Sequence, residues 1–305
     1  MSTAKAKKYL IVISGPTGVG KTNTAIHIAK QFNTEIISAD SRQFFKEIPI
    51  GTAAPTHEER KAVPHHFVGN LSITDYYNAY LFQKDVITLL SSLFQKHNYI
   101  VLCGGSGMYI DAVCNGIDDI PDIEPELRAS IISQLENEGV ESLRTTLKKL
   151  DPDYYAQVDL KNPARLMRAI EVCLQTGKPY SSIRNQPQTP RDFTPVHIAL
   201  NLPREELYAR INSRVDAMIR AGLENEAHAM LPYKHHTALK TVGYKEFFAY
   251  FNAEYSKEYT IEKIKQHSRH YAKRQISWIK RNTAYSWFAP HEYENIVTHI
   301  KHQSE

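Results

Sequence analysis

The chain has 305 residues, of which 42% are hydrophobic and 23% are charged, and its formal charge at pH 7 is +4. This length allows one large domain or two modest ones, and the composition excludes disordered and fibrous classes. No apolar run approaches the roughly 18 residues that cross a bilayer, and the basic start precedes no cleavable apolar segment. We therefore expect a cytoplasmic protein with no membrane partner.

A short apolar strand is predicted at Tyr9–Ser14, and it leads into the pattern G-x-x-x-x-G-K-T at Gly15–Thr22. Glycines in such a loop let backbone N–H groups point at an anion, and the helix that follows adds the positive end of its dipole. Lys21 can reach an outer phosphate, and the Thr22 hydroxyl can bind Mg²⁺. The predicted phosphate- or diphosphate-binding residues are Gly15, Pro16, Thr17, Gly18, Val19, Gly20, Lys21 and Thr22.

Apolar runs alternate with helical patterns over residues 1–120, which is typical of a parallel sheet with crossover helices. Further strands are predicted at Glu35–Ser38 and Tyr99–Cys103, with a long helix over Tyr76–Lys96 between them. With the phosphate loop at its first strand, this part is predicted to be an α/β core like that of P-loop NTPases.

The pattern becomes helical after Pro121, and a strand returns only at Val196–Leu202. One helix is clearly bounded at Pro163–Gln175, because Asn162 can cap it and a T-G-K-P sequence stops it. Three prolines in Arg184–Pro195 indicate a linker. The predicted organisation is a core of residues 1–120 and 196–305, whose C-terminal part is helical, and a helical insertion with its linker at residues 121–195.

The C-terminal helix predicted at Lys257–Arg281 is strongly basic. Lys265, Arg269 and Lys273 form an i, i+4, i+8 row on it, opposite an apolar face. Such a row is either a solvated face or a contact surface for a polyanion such as a nucleic acid.

A phosphate loop alone does not name a reaction. Nucleotide-hydrolysing members usually end a second strand with an aspartate at the magnesium site, but here the strand Tyr99–Cys103 ends in Gly104–Gly107. Asp40 instead follows Glu35–Ser38, at the strand ends that face the phosphate loop. Its carboxylate could be a general base, a magnesium ligand through water, or a helix cap.

Two further features have both a functional and a purely structural interpretation. Ser106 could contact a substrate through its hydroxyl, or it could cap the helix after the glycine-rich turn. Arg165 and Arg168 share one face of the bounded helix, where they could bind phosphates or form a solvated surface.

The order of motifs along nearly the whole chain resembles the tRNA dimethylallyltransferases. Ser106 stands where this family usually has threonine, which keeps a hydroxyl, and the chain lacks the zinc-finger extension of eukaryotic members, as expected of a compact bacterial form. The matching segments are Gly15–Thr22, Ser38–Gln43, Ile50–Pro55, Pro64–His66, Gly104–Tyr109, Arg165–Val172, Val242–Tyr244 and Ala272–Trp278.

The resemblance implies transfer of a dimethylallyl group from dimethylallyl diphosphate to N6 of the adenine immediately 3′ of the anticodon in tRNA. It implies Mg²⁺ as cofactor and the loop as a diphosphate site. We expect a monomer, because a substrate as large as tRNA supplies the partner surface. The catalytic residues implied are Asp40, Lys21, Ser106 and Arg214. The tRNA-binding residues implied are Asp40, Ser41, Arg42, Gln43, Ser106, Arg128, Ala164, Arg165, Leu166, Met167, Arg168, Lys240, Thr241, Gly243, Tyr244 and Lys273.

Three other functions also fit a phosphate loop of this kind. They are prenyl transfer to free adenine nucleotides, phosphate transfer by a small-molecule kinase, and nucleotide sensing by a nucleic-acid-binding switch protein. The inserted helices and the basic C-terminal helix favour a tRNA substrate, because a free nucleotide needs no such surface.

Overall fold

The computed structural model describes residues 7–118, 120, 123–184 and 190–305, and these residues form two compact units. The first unit comprises Met1–Cys114 and Arg191–Glu305, and the second comprises Asn115–Pro190. The expected boundary at Pro121 and residues 185–189 of the expected linker lie outside the described residues.

A parallel sheet of six strands forms the centre of the first unit. In chain order the strands are β1 (Tyr9–Ser14), β2 (Ile36–Ser38), β3 (His65–His66), β4 (Tyr99–Gly104), β5 (Thr194–Leu200) and β6 (Ser286–Phe288). Their order across the sheet is β3-β2-β4-β1-β5-β6, so β1 lies between β4 and β5. All six residues of β1 are buried, as expected for a strand covered on both faces. The predicted α/β fold class is confirmed.

Helices surround this sheet and make up the second unit. In chain order they are α1 (Lys21–Gln31), α2 (Pro49–Thr52), α3 (His57–Ala62), α4 (Ala79–Lys96), α5 (Gly107–Asn115), α6 (Pro125–Glu138), α7 (Val140–Leu150), α8 (Pro152–Tyr155), α9 (Pro163–Thr176), α10 (Tyr180–Ile183), α11 (Arg204–Arg220), α12 (Leu223–Ala229), α13 (Tyr244–Phe251), α14 (Lys257–Ile279) and α15 (Tyr293–His302).

Local capping explains where several helices begin. The side chain of Asn78 accepts a hydrogen bond from the N–H of Leu81, so α4 begins later than the predicted Tyr76. Asn162 caps α9 in the same way, with proline at the first helical position. These boundaries follow from the satisfaction of backbone donors at helix starts.

Each unit has its own apolar core. In the first, Ile11 and Ile13 of β1 pack with Ala25 and Ile28 of α1. In the second, a separate cluster joins apolar side chains of α6, α7, α8 and α9. Among the helices of the described ranges, none is both long enough and apolar enough to cross a membrane.

Candidate active site

The phosphate loop, Gly15–Thr22, connects the carboxyl end of β1 to the start of α1. Gly18 and Gly20 adopt φ angles of +79° and +110°, which L side chains rarely accept. No side chain caps the N-terminus of α1, so its first backbone N–H groups are left for another acceptor. This geometry is suited to an anion at the helix start.

Lys21 turns back over the loop that precedes it. Its Nζ donates hydrogen bonds to the carbonyl oxygens of Gly15 and Pro16, both at 2.9 Å, which uses two of its three donors. Burial lowers the pKa of Lys21 to about 8; the charge of Arg214 lowers it too, whereas Cys103 and Asp40 act in the opposite direction. Lys21 is therefore partly deprotonated at mildly alkaline pH. When it is protonated, its third N–H donor is left for a phosphate oxygen.

Asp40 lies in a tight turn immediately after β2. Its Oδ1 accepts the backbone N–H of Arg42 at 3.0 Å, and its carbonyl accepts the N–H of Gln43 at 3.2 Å. This is an Asx turn, and no helix begins directly after it, so the carboxylate caps a turn instead of a helix. Across the described ranges, Oδ2 makes no hydrogen bond and is left for a ligand.

Arg214 reaches the same place from α11. Burial lowers the pKa of its guanidinium, while the negative charges of Asp40 and Glu59 oppose that shift. Asp40 also opposes the lowering of the Lys21 pKa, so the charge of one carboxylate acts on two half-buried cations. The structure thus brings Lys21, Asp40 and Arg214 together from three separate elements.

Ser106 joins the Asp40 turn to the glycine-rich turn Gly104–Gly107, which we call the β4–α5 turn. Its Oγ accepts the backbone N–H of Ser41 at 2.9 Å, and its own N–H donates to the carbonyl of Ala39 at 3.3 Å. A Cβ on Gly104 would lie 2.2 Å from the Ala39 oxygen, so only glycine permits this approach. Ser106 therefore has a structural role beside the functional one expected of it.

Gln43 and Tyr244 were expected to contact RNA, but their side chains have internal partners. Gln43 Nε2 donates to the carbonyls of Thr52 and Ala53 at 3.3 and 3.1 Å. Tyr244 is fully buried, and its hydroxyl donates to Glu226 at 2.6 Å. Direct contact between the Tyr244 ring and RNA is excluded in this conformation, since the ring packs inside the core.

Glu226 is a residue that the motif pattern did not reveal. Besides the Tyr244 hydroxyl, its carboxylate accepts the backbone N–H groups of Ile50 and Gly51, each at 2.8 Å. It thereby fixes α2 against α12. Its only sequence signal is an acidic residue in a helix, which gives no sign of partners so distant in sequence.

In the second unit, the predicted RNA-binding residues of α9 differ in exposure. Arg165 is exposed, whereas Leu166 is fully buried, so the Leu166 side chain packs in the core instead of facing solvent. Arg168 and Arg128 both approach the buried carboxylate of Glu171, at 3.7 and 3.0 Å. The remaining two, Ala164 and Met167, are exposed and half-buried respectively.

The basic row predicted on α14 is mostly paired. Lys265 Nζ lies 2.9 Å from Asp216, and Arg269 donates to Asn212 at 2.7 Å, because α11 packs along this face of α14. Lys273 is exposed. Neither of the two alternatives considered, a solvated face or a polyanion surface, therefore describes the whole row, since Lys265 and Arg269 hold α11. The other predicted RNA contacts of this unit are Lys240, which is exposed, Ser41, Arg42 and Thr241, which are half-buried, and Gly243, which is buried.

The parallel sheet, the phosphate loop and the facing carboxylate define an α/β phosphate-loop enzyme. A family model described as IPP transferase matches residues 43–282. A protein of Bacteroides thetaiotaomicron named tRNA dimethylallyltransferase 1 is 48% identical over 97% of this chain and 96% of its own length. The chain belongs to the IPP transferase family.

Solved structures show the same fold. The tRNA isopentenylpyrophosphate transferase of Bacillus halodurans is 32% identical, with a TM-score of 0.69 over 97% of this chain and 96% of its own. A eukaryotic dimethylallyltransferase described as acting on tRNA gives a TM-score of 0.79 at 26% identity, covering 98% of this chain and 78% of its own.

Proposed function

We propose that this protein transfers a dimethylallyl group from dimethylallyl diphosphate to N6 of the adenine immediately 3′ of the anticodon in tRNA, and releases diphosphate. Membership of the IPP transferase family and the names of its relatives support this reaction. The observation that carries the assignment of roles is the carboxylate of Asp40, which follows β2 in a turn and whose charge acts on the half-buried cations Lys21 and Arg214.

The chain's oxygen atoms fit Mg²⁺ as a cofactor. The Thr22 hydroxyl makes no hydrogen bond in the described part of the chain, and a hard oxygen donor of this kind suits Mg²⁺. One protein ligand suffices, since Mg²⁺ in such sites takes its other oxygens from substrate phosphates and water. When bound, the ion adds positive charge beside the diphosphate.

Departure of the diphosphate is the step that the phosphate loop assists. As the allylic C–O bond breaks, negative charge grows on the diphosphate and positive charge on the delocalised carbon. The loop N–H groups and the Lys21 ammonium are fixed around the growing negative charge, and fixed dipoles stabilise it without reorganisation. Arg214 adds a second cation to the same place.

Asp40 acts on the other reactant, the adenine N6 amine. This nitrogen is a weak nucleophile because its lone pair is conjugated with the ring. Asp40 Oδ2 accepts an N6 proton while the N6–C bond forms, so the proton passes to the carboxylate as diphosphate leaves. Oδ1 stays on the Arg42 N–H and keeps the carboxylate in place. The base must leave the RNA stack, at a cost of a few kcal/mol.

Contacts between the protein and the RNA offset the free energy of unstacking. We assign them to the Asp40–Gln43 turn, the exposed Lys240 and Lys273, and the arginines of the second unit. The protein is proposed to act in the cytoplasm as a monomer, because a tRNA supplies a large partner surface.

Labelled substrate tests the reaction. The protein is incubated with unmodified tRNA, AMP, ATP, Mg²⁺ and dimethylallyl diphosphate labelled in the allyl group, so that the alternative substrates compete in one mixture. Label recovered in N6-modified adenosine of the tRNA supports the proposal. Label recovered only in free adenine nucleotide, or phosphate transfer from ATP without prenylation, contradicts it.

Removing two arginines of α9 is expected to weaken tRNA binding. Arg165→Ala with Arg168→Ala should raise the Kd for tRNA and flatten the plot of log Kd against log salt by about 1 to 2 units, since each phosphate contact releases counterions. Titrations at several salt concentrations measure the slope. Lys178→Ala, an exposed cation just beyond the same helix, is the matched control and should keep the wild-type slope. An unchanged slope in the double variant would contradict the assignment.

The pKa of Lys21 predicts a pH dependence. Because burial lowers this pKa to about 8, the free enzyme loses the ammonium charge as pH rises through that value. The KM for dimethylallyl diphosphate should therefore rise above about pH 8, while kcat at saturation stays flatter because bound diphosphate favours the charged form. In Lys21→Arg the guanidinium stays protonated and the inflection should disappear. A KM that is flat to about pH 9.5 in the wild-type enzyme would contradict this role of Lys21.

A further inference from the structure

Gln275 of α14 connects two glycine-rich turns that are far apart in sequence. Its Oε1 accepts the backbone N–H of Thr17, in the phosphate loop, at 2.8 Å. Its Nε2 donates to the carbonyl of Gly105, in the β4–α5 turn, at 2.9 Å. The side chain is only 6% exposed, so both hydrogen bonds are shielded from water. An amide offers a hydrogen-bond acceptor and a donor side by side without needing to be protonated.

The neighbours of Gln275 on the same face of α14 hold the same region. Tyr271, one turn earlier, lies near Ser106. Trp278, one turn later, covers Gly107, where an added Cβ would lie 2.2 Å from the indole. At Gly105 an added Cβ would lie 2.1 Å from Gln275 Nε2. Because these positions of the β4–α5 turn are glycines, this face of α14 can pack directly against the backbone of the turn.

The phosphate loop is consequently fixed from two sides. Lys21 holds the carbonyls of Gly15 and Pro16, and Gln275 holds the N–H of Thr17. The Thr17 N–H is committed to Gln275 and the Val19 N–H to the Pro16 carbonyl at 3.4 Å, so in the described part of the chain the loop N–H groups of Gly18 and Gly20 are left for an anion. Each of these contacts restricts the loop before any ligand binds, which reduces the ordering cost at binding.

We propose that Gln275 is a positioning residue for the diphosphate. Its amide connects the phosphate loop to the β4–α5 turn by two hydrogen bonds and so fixes the loop conformation before the leaving group binds. The proposal rests on the diphosphate site of the proposed function. It also links that site to α14, the helix that carries the exposed Lys273. Gln275 acts through the loop and makes no contact with the reacting atoms.

Gln275→Met tests the proposal, because methionine keeps the length of the side chain but removes both hydrogen bonds. We expect the KM for dimethylallyl diphosphate and the Kd for inorganic pyrophosphate to rise about tenfold, since the Thr17 N–H and Gly105 carbonyl lose a buried partner. The KM for tRNA should stay within about twofold. Ser277→Ala, which removes only a bond to the α14 backbone, is the matched control and should change neither constant.

Gln275→Glu adds a measurement, the pH dependence of pyrophosphate affinity, that would not change if Gln275 served only in folding. A protonated glutamic acid can still accept from Thr17 and donate to Gly105, whereas the ionised carboxylate has no donor for the Gly105 carbonyl. The pyrophosphate affinity of this variant, relative to the wild type, should therefore recover as pH falls from about 8 to about 5.5. A constant ratio across this range, or a Gln275→Met variant within about twofold of wild type, would overturn the proposal. If the wild-type enzyme itself showed no prenyl transfer, that result would instead count against the proposed function.

Discussion

Asp40→Asn is expected to lower kcat at least ~100-fold while the Kd for tRNA stays within about twofold. An asparagine Oδ1 still accepts the Arg42 N–H, so the Asx turn and its surroundings are retained. What the substitution removes is the oxygen that takes the N6 proton. Single-turnover rates with saturating tRNA and diphosphate, together with tRNA titrations, measure the two quantities separately.

The control for this variant is Asp75→Asn. Asp75 is exposed and accepts the Ser72 N–H at 2.7 Å, so it also holds a turn through a carboxylate, but it is not among the charges that act on Lys21 or Arg214. Its activity should equal that of the wild type. Near-normal turnover in Asp40→Asn would contradict the assignment of Asp40 as the base. Its role would then be only to stabilise the turn after β2.

Lys21→Met is expected to lower kcat/KM for dimethylallyl diphosphate by about 10²–10³-fold, the range found when a group that stabilises developing negative charge is removed. Lys21 is half-buried against the loop, where its Nζ is held by the Gly15 carbonyl, and it is proposed to supply a cation at the departing diphosphate. Steady-state kinetics at fixed, saturating tRNA measure the loss. Lys30→Met, an exposed lysine at the far end of the same helix, is the control and should be unaffected. A loss below about tenfold in Lys21→Met would contradict this role.

Local patterns predicted much of the fold. The strand predicted at Tyr9–Ser14 matches β1 at both ends, and the helix predicted from Pro163 was confirmed as α9. Both elements are bounded by residues that lie next to their ends in the sequence. The strands β3 and β6 have two and three residues and lie at the sheet edges. Segments so short carry no periodicity, and they form only because a neighbouring strand pairs with them.

The site was predictable where a motif is contiguous, and less so where partners come from distant segments. The phosphate loop and Asp40 follow from strand ends, but the convergence of Arg214 depends on how α11 packs. Gln275 lies in a segment that matched the family pattern, yet its partners Thr17 and Gly105 could not be inferred from spacing. The pairing of Lys265 on α14 could not be predicted for the same reason, because Asp216 lies far away in sequence.

The central claim is that the phosphate loop holds an isoprenoid diphosphate as a leaving group. A single-turnover reaction without ATP tests it most directly, by counting inorganic diphosphate released and N6-prenylated adenosine formed from one sample. The account predicts one intact diphosphate for each modified adenosine, with no product when tRNA is omitted. Modification that requires ATP, or release of monophosphate in place of diphosphate, would contradict it.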